Sequence, residues 1–279
     1  MTLRLISWNT ASRSNRAKAQ LDFLRQRKPD IVAFQEVSPT SARFFRRLIP
    51  EILNLPIVRW SLDGEAPPGS RKRSLGVLIA SRFPVASSAS TRIQSPWAEK
   101  AISLSLRVPW GPIDVHTVHV PPGASNGWVK VEVLESVYLA LCVPCGRPTI
   151  LTGDFNTPMA ELPSGEMISW AQRIARNGRP VLRRSKAGGN AERWDSAERN
   201  ILQGLPRCGL RDAFRSKVGF EVEEWSWVHK RQGIETPRRF DHAFVSDDIH
   251  VAGISYLHSA RESGLSDHSA LELEFRAAL

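Results

Sequence analysis

Thr149-Ile150-Leu151-Thr152-Gly153-Asp154-Phe155-Asn156 is a short apolar run that stops on a turn carrying a carboxylate and an amide. Four other stretches of the 279-residue chain share that build. Leu3 to Trp8 ends in Ser7-Trp8-Asn9, and Ile31 to Phe34 delivers Gln35-Glu36. Near the other end, Arg239-Phe240-Asp241-His242 and Ser266-Asp267-His268 also flank strand-like runs. A strand ending in Asn, Glu, Asp or His sets a hard oxygen or an imidazole at the rim of a sheet. Several such rims can converge on one divalent cation and one phosphate. The order of the five islands reads as a metal-dependent phosphodiesterase.

The intervening sequence supplies the sheets. Ala19, Leu21, Phe23 and Leu24 give Arg16 to Arg27 a helical spacing, and Pro29 follows as a stop. Ser38 is a plausible N-cap for a helix whose Phe44, Phe45, Leu48 and Ile49 face the core. Strands are expected at 75–80, 101–108 and 113–118, a helix at 128–141 and another at 197–208. The last third returns to strands at 225–228, 240–245, 251–257 and 270–275. Two sheets packed face to face with helices outside would bury such strands on both sides.

Composition narrows the class. A 42% apolar content can bury a large core, and no linker long enough to separate a second domain interrupts it, so one domain over 1–279 is expected. The 38 Lys and Arg against 28 Asp and Glu leave a net charge of +10, which favours a polyanion, nucleic acid first of all. No stretch approaches the ~20 apolar residues of a membrane span, and the amino terminus turns polar at Ser7, too soon for a secretory segment. A cytoplasmic protein, monomeric and without membrane partners, is expected. Cys142, Cys145 and Cys208 form an odd set without a second ligand pair for zinc and read as free thiols.

Chemistry follows from residue type. Glu36, directly after an apolar run, must leave the sheet or meet a cation, and Asp267 supplies a matching hard ligand. Mg2+ suits such an oxygen-rich site better than zinc. Asp154 can orient or deprotonate a water, while Asn156 can donate to a phosphate oxygen without adding charge. Both also suit a turn that caps its own backbone. Asp241 is expected to orient His268, fixing its tautomer and raising its basicity. His116 and His119 lie an odd number apart and cannot share a strand face, so His119, at the strand end, is the phosphate or leaving-group ligand and His116 is structural. Arg71 and Arg73, after the Pro67-Pro68-Gly69 turn, are candidate phosphate-contacting residues. Arg173, Arg176, Arg179, Arg183, Arg184 and Lys186 form a second such segment that equally suits a solvated loop.

The ordered set resembles the endonuclease/exonuclease/phosphatase superfamily, and its exonuclease III and abasic-site endonuclease branch in particular. His119-Val120-Pro121-Pro122-Gly123 through Lys130 and Glu132 resembles a loop-and-helix segment of that branch, and Gly209-Leu210-Arg211-Asp212-Ala213-Phe214 resembles its Gly-Leu-x-Asp-x-Phe segment. The resemblance implies a four-layer α/β sandwich of two packed mixed β-sheets flanked by helices. It implies Asn9, Glu36 and Asp267 around Mg2+ or Mn2+, Asp154 and Asn156 at the scissile phosphate, and Asp241 with His268 as the paired acid and imidazole. Lys130, Trp227 and Arg238 are carried over as nucleic-acid contacts, Trp227 as a wall of a nucleotide pocket. Departures are Ala11 where that branch has a second acidic residue, His119 where it has a Tyr, and Arg238 where it has an aromatic. The implied activity is hydrolysis of DNA phosphodiesters: endonucleolytic, exonucleolytic, or at abasic sites or 3′ ends. A phosphatase or phospholipase on a small or lipid substrate, and a weakly active nucleic-acid-binding accessory protein, are the alternatives.

Overall fold

A computed structural model describes residues 1–63, 75–86, 93–143, 146–184 and 189–278. Arg71, Arg73, Cys145 and Lys186 lie outside the described residues. The chain opens with β1 (Leu3–Asn9), α1 (Ala17–Arg25), β2 (Ile31–Val37), α2 (Pro39–Leu53), β3 (Ile57–Trp60) and β4 (Gly76–Ser81). Next come β5 (Ala101–Val108), β6 (Gly111–His119), α3 (Gly123–Asn126), α4 (Val129–Leu141) and β7 (Thr149–Asp154). Two small hairpins follow, β8 (Ala160–Glu161) with β9 (Met167–Ile168), and β10 (Gln172–Ile174) with β11 (Pro180–Leu182). After α5 (Ala191–Arg199), a π-helical turn and α6 (Leu205–Arg207) lie β12 (Leu210–Asp212) and α7 (Ala213–Val218). The chain finishes with β13 (Trp227–Arg231), β14 (Ile234–Arg238), β15 (Asp241–Ser246), β16 (Ile249–Leu257), α8 (His258–Glu262) and β17 (Ala270–Ala277).

The strands form a six-stranded sheet in the order β16-β17-β1-β2-β4-β3 and a five-stranded sheet in the order β12-β15-β7-β6-β5. Both are mixed, with β1 parallel to β2 and β6 parallel to β7. Helices flank them, and the result is the four-layer sandwich expected from sequence.

Local chemistry fixes the helix ends. Ser38 Oγ accepts from Ser41 N ahead of Pro39 in the first turn of α2, and Asn54 closes it in the left-handed region at φ 57°. Asn190 caps α5 through the amides of Glu192 and Arg193, so that helix starts at Ala191 rather than at the expected Ala197.

Alternation along the strands builds the site. Leu3 and Leu5 of β1 and Ile31 of β2 meet Ile113 and Val115 of β6, Ile150 of β7 and Ala243 and Val245 of β15 in one core between the sheets. Ile6, Trp8, Val32 and Phe34 point the other way, into the core that includes Leu21 of α1 and Phe45 of α2. Val118, Leu151 and Phe244 likewise pack outward with residues of α4 and α5. Two residues further along the inner face the side chains become hydroxyls and amides. Gln35 Nε2 donates to Ser7 Oγ (3.1 Å) and Thr117 Oγ1 (2.9 Å), bridging the sheets. Two residues beyond that, β1, β6 and β7 present Asn9, His119 and Asp154, all buried. The inter-sheet space therefore runs from apolar through neutral polar to ionisable as the strands approach one rim.

Cys142, at the end of α4, and Cys208, before β12, form a disulfide with Cα atoms 5.0 Å apart. The expectation of free thiols is corrected for this pair. The turn at Gly209 returns the chain toward the carboxyl end of α4, a proximity that sequence spacing does not reveal. Among the described residues no helix is long and apolar enough to cross a membrane.

Candidate active site

Register gathers the residues. Asp154 pairs with His119 on one side and Asp241 on the other, so three ionisable groups from β6, β7 and β15 stand in one row. Gly153 is needed for this row: its φ is +144°, and a Cβ there would lie 2.0 Å from Val118 O. From the facing sheet, Asn9 reaches Asp154 Oδ2 (2.9 Å) and Glu36 Oε1 (3.3 Å) through its amide nitrogen. Glu36 would point away from the cleft in a regular strand. A register shift between Phe34 and Val37, with Glu36 at φ 56°, turns it in. That backbone strain, of order 1–3 kcal/mol, is the kind that concentrates at functional sites.

His268 Nδ1 lies 2.7 Å from Asp241 Oδ2, and its Nε2 lies 3.9 Å from Asp154 Oδ2. The Asp241–His268 pair expected from sequence is formed. Trp8 Nε1 donates to His268 O, Tyr256 Oη to Asp241 O, and Ser226 Oγ accepts from Asp241 N, so the pair is tied to β1, to β16 and to the loop before β13. Asp154 Oδ1 accepts from Asn156 N (2.9 Å), and Asn156 Nδ2 donates to Val120 O. Asn156 sits at φ 51°, and its carbonyl accepts from both Lys130 Nζ (2.9 Å) and Trp170 Nε1 (3.1 Å).

Electrostatics separate the roles. Burial, reinforced by Asp241 and offset by His268, pushes the Asp154 carboxyl up to about 7. Burial opposes charge on His268, yet Asp241 and Asp154 hold its imidazolium up to about 10. His119 is driven the other way, far below the usual histidine value, by burial together with Lys100 and His268. Its Nδ1 lies 3.1 Å from Lys100 Nζ. An ammonium has no acceptor, so Nδ1 must accept, which leaves the proton on Nε2. That Nε2 faces Glu36 Oε1 (3.5 Å) and Asp154 Oδ2 (3.9 Å) and has no hydrogen-bond partner of its own.

Glu36, His119 and Asp154 bring ligand atoms within 4.8 Å of one another. Glu36 and Asp154 face each other across an amide donor and a neutral imidazole, with His268 Nε2, 3.9 Å from Asp154 Oδ2, as the cationic neighbour, and the donor set fits a divalent cation. Because Lys100 occupies Nδ1, His119 is better suited to donate from Nε2 than to ligate. Asp267 is outside this group: it is exposed at the rim, where Trp227 Nε1 donates to Oδ2 (3.3 Å).

Other expected residues sort by position. Trp227 lies on the rim, stacked on Phe240 with centroids 5.4 Å apart and tilted toward His268 at 6.4 Å. Arg238 is half-buried over the Trp170 ring (6.0 Å). His116 is buried between β5 and β6 on Ser103 Oγ (2.8 Å), as a structural residue should be. Lys130 corrects the expectation of a nucleic-acid contact. It is 1% exposed, and its ammonium is spent on Glu198 Oε1 (2.7 Å) and the Asn156 carbonyl, so it cannot reach a phosphate. Sequence reading missed Lys100, Trp170 and Glu198, each from a segment without a recognisable motif.

A family model described as the endonuclease/exonuclease/phosphatase family matches residues 6–268, and the chain belongs to that family. Members are hydrolases of phosphoester bonds that depend on divalent metal. No curated protein matches in sequence. Among solved structures, an AP endonuclease from Archaeoglobus fulgidus is similar at 19% identity and TM-score 0.68, covering 97% of this chain and 98% of that one. The 3′ phosphatase NExo from Neisseria, bound to a product DNA hairpin, is similar at 18% identity and TM-score 0.69, covering 98% and 99%. D. rerio TDP2 complexed with a single-strand DNA product is similar at 16% identity and TM-score 0.67, covering 99% of each chain. At these identities the likeness is one of fold.

Proposed function

We propose that this chain is a Mg2+-dependent phosphodiesterase of DNA, able to use Mn2+, acting as a single catalytic domain. The observation that carries the reading is the Asp241–His268 pair aimed at Asp154 beside Glu36, His119 and Asn9, in one buried cluster at the rim of both sheets. Glu36 and Asp154 would hold the cation, with Asn9 beside them and Asp267 at the rim. Bound there, it would supply Lewis-acid polarisation of a phosphoryl oxygen.

The remaining roles fall to the chain's own groups. Asp154, ionised and oriented by the Asn156 amide, accepts the proton of the attacking water. His268, held as imidazolium by Asp241, faces the developing negative charge and can return a proton to the leaving oxygen. Neutral His119 donates from Nε2 to a non-bridging oxygen, and Asn156 keeps the Asp154 carboxylate oriented. Trp227 and Arg238 offer a stacking face and a phosphate contact along the rim. DNA is favoured over a small or lipid phosphoester by the +10 charge and by the DNA-bound neighbours, TDP2 and NExo.

The test is incubation of the purified chain with supercoiled plasmid, an abasic duplex, and 3′-recessed and 3′-phosphorylated duplexes, in Mg2+, Mn2+ or EDTA. Cleavage of at least one, lost in EDTA and in His268→Gln, is the expected result. Metal-independent cleavage, or none with any substrate, would remove the proposal.

A further inference from the structure

The β10–β11 hairpin is charged beyond what the fold uses. From Met167 to Arg184 there are five arginines and no acidic residue. Arg173, Arg176, Arg179, Arg183 and Arg184 are all exposed or half-exposed. Among the described residues none of the five has a carboxylate partner. Arg183 alone is engaged, through Nε on the Gln172 carbonyl (3.2 Å). Several arginines that follow in sequence are neutralised, Arg193, Arg199, Arg211, Arg215 and Arg239 each sitting on a carboxylate within 2.8 Å. The hairpin thus concentrates unneutralised charge in a stretch where none is required to hold the fold.

Its position gives that charge a direction. β10 leaves directly after Trp170, whose Nε1 is bonded to the carbonyl of Asn156 in the cleft. Trp170 packs against Phe240 (6.4 Å), Phe240 stacks on Trp227 (5.4 Å), and Trp227 stands over His268 (6.4 Å). A row of rings therefore runs along the rim from the proposed chemistry to the base of the hairpin, with Arg238 lying over Trp170. Strands rise about 3.3 Å per residue, so three residues and a turn carry the arginines roughly 15 Å beyond Trp170. On a duplex rising 3.4 Å per base pair, that reach beyond Trp170 spans up to roughly four base pairs.

We propose that the β10–β11 hairpin is an arm that grips the phosphate backbone of duplex DNA several base pairs to one side of the bond positioned at Asp154 and His268, on the side marked by Trp170. The inference rests on the DNA reading above and adds where, and on which side, the duplex is held. Arg173 and Arg183 flank the ribbon, while Arg176 and Arg179 occupy its turn, so the charges can meet successive phosphates. The exposed Ile174 and Leu182 would also suit an anionic bilayer, but a bilayer has no use for the aromatic row leading into the cleft.

The experiment compares two charge-matched triple variants of the full chain by anisotropy of a fluorescein-labelled 20-base-pair duplex in EDTA. One is Arg173→Ala/Arg176→Ala/Arg179→Ala. The other, Arg25→Ala/Arg43→Ala/Arg47→Ala, removes exposed arginines of α1 and α2 and controls for net charge. The arm variant should bind about 10- to 100-fold more weakly near 0.15 M salt, with the slope of log K against log salt reduced by about 2 to 3, as expected for two or three lost phosphate contacts. The control should change binding less than about 3-fold, with thermal midpoints of both within a few degrees of the parent. Equal effects of the two triples, or an unchanged slope in the arm variant, would overturn the proposal. So would loss of binding to phosphatidylserine vesicles with duplex binding intact. Because no turnover is needed, a chain that binds through the arm yet cleaves nothing would fault the catalytic reading and leave the arm standing.

Discussion

Two clusters of buried carboxylates lie two residues apart at the start of β15, and they have opposite electrostatics. Asp241 faces the cleft with Asp154, Glu36 and His268. Arg239, just before it, joins Glu161 and Asp212 behind the cleft, with both Glu161 oxygens and Asp212 Oδ2 taken by arginine. Burial penalises Asp154 in the cleft and Glu161 and Asp212 in the rear cluster, yet in the rear one Arg239 overcomes it, pulling Glu161 down to about 2 and Asp212 lower still. In the cleft no arginine answers, and Asp154 rises to about 7. Both clusters keep side-chain atoms without a hydrogen-bond partner, Asp241 Oδ1 and His119 Nε2 in the cleft and Arg215 Nε and Arg239 Nη1 in the rear, so the difference lies in the charges. Similar burial with unequal compensation separates the acids that hold the fold from the acids available for chemistry.

The largest expected effect falls on the cleft. Asp154→Asn keeps shape and the hydrogen bonds of Asp154 as acceptor on one oxygen, but removes the proton acceptor. DNA turnover should fall about 10²–10⁴-fold while the thermal midpoint holds or rises at pH 8, since a strained buried charge is lost. A fall in stability with activity retained would erase the distinction between the clusters. The mirror experiment is Arg239→Met, which strands Glu161 and Asp212 without that cation. It should cost about 3–5 kcal/mol in urea or thermal unfolding. A loss below about 1 kcal/mol would show that the rear cluster is not compensated as its geometry implies.

Acid titration gives the same contrast with signs that can be worked out. Glu161 is depressed from 4.5 to about 2, so its stabilising contribution is complete above about 4.5 and disappears as pH falls toward 2. On the order of 3 kcal/mol should be lost over that window, and Glu161→Gln should flatten it. Asp154 is raised, so its ionisation destabilises the metal-free protein as pH climbs through 7. A divalent cation competes with that proton and needs the ionised form. Added Mg2+ or Mn2+ should therefore raise the thermal midpoint more at pH 8 than at pH 6, a difference absent from Asp154→Asn.

The cleft was legible from sequence because its polar residues sit at the ends of strand-like runs, Asn9, Glu36 and Asp154 at the close of one and Asp241 and His268 at or just before the start of one. Asn9, Glu36, Asp154, Asp241 and His268 could all be located that way. The rear cluster was not legible. Glu161 sits in a two-residue strand, Asp212 reads as a helix cap, which it also is, and Arg239 reads as one more basic residue. Their meaning comes only from tertiary pairing. Lys130 failed for the same reason: a lysine on an amphipathic helix is ordinarily a solvated one, and nothing local announces that Glu198, 68 residues on, will bury it. Glu36 succeeded despite its strand, since the bulge that turns it inward lies in backbone dihedrals rather than in residue pattern. The basic segment at 173–184 was visible as charge, but its folding into a hairpin beside Trp170 was not.

Asn156 belongs to both kinds of cluster, and the smallest prediction concerns it. Its side chain and amide face Asp154, while its carbonyl is held by Lys130, itself locked on Glu198, and by Trp170. A non-glycine residue at φ 51° is retained only where its surroundings over-determine it. Trp170→Phe deletes one hydrogen bond to that carbonyl without touching the buried ion pair. About 1 kcal/mol of local stability should go, seen as faster amide exchange at Asn156 with little change in the global midpoint. Turnover should fall about 5-fold as the Asp154 carboxylate loses orientation, and Asp154→Asn should be insensitive to the second change, because the carboxylate being oriented is no longer there. If the two substitutions multiply instead, Trp170 acts on catalysis by a route other than Asn156.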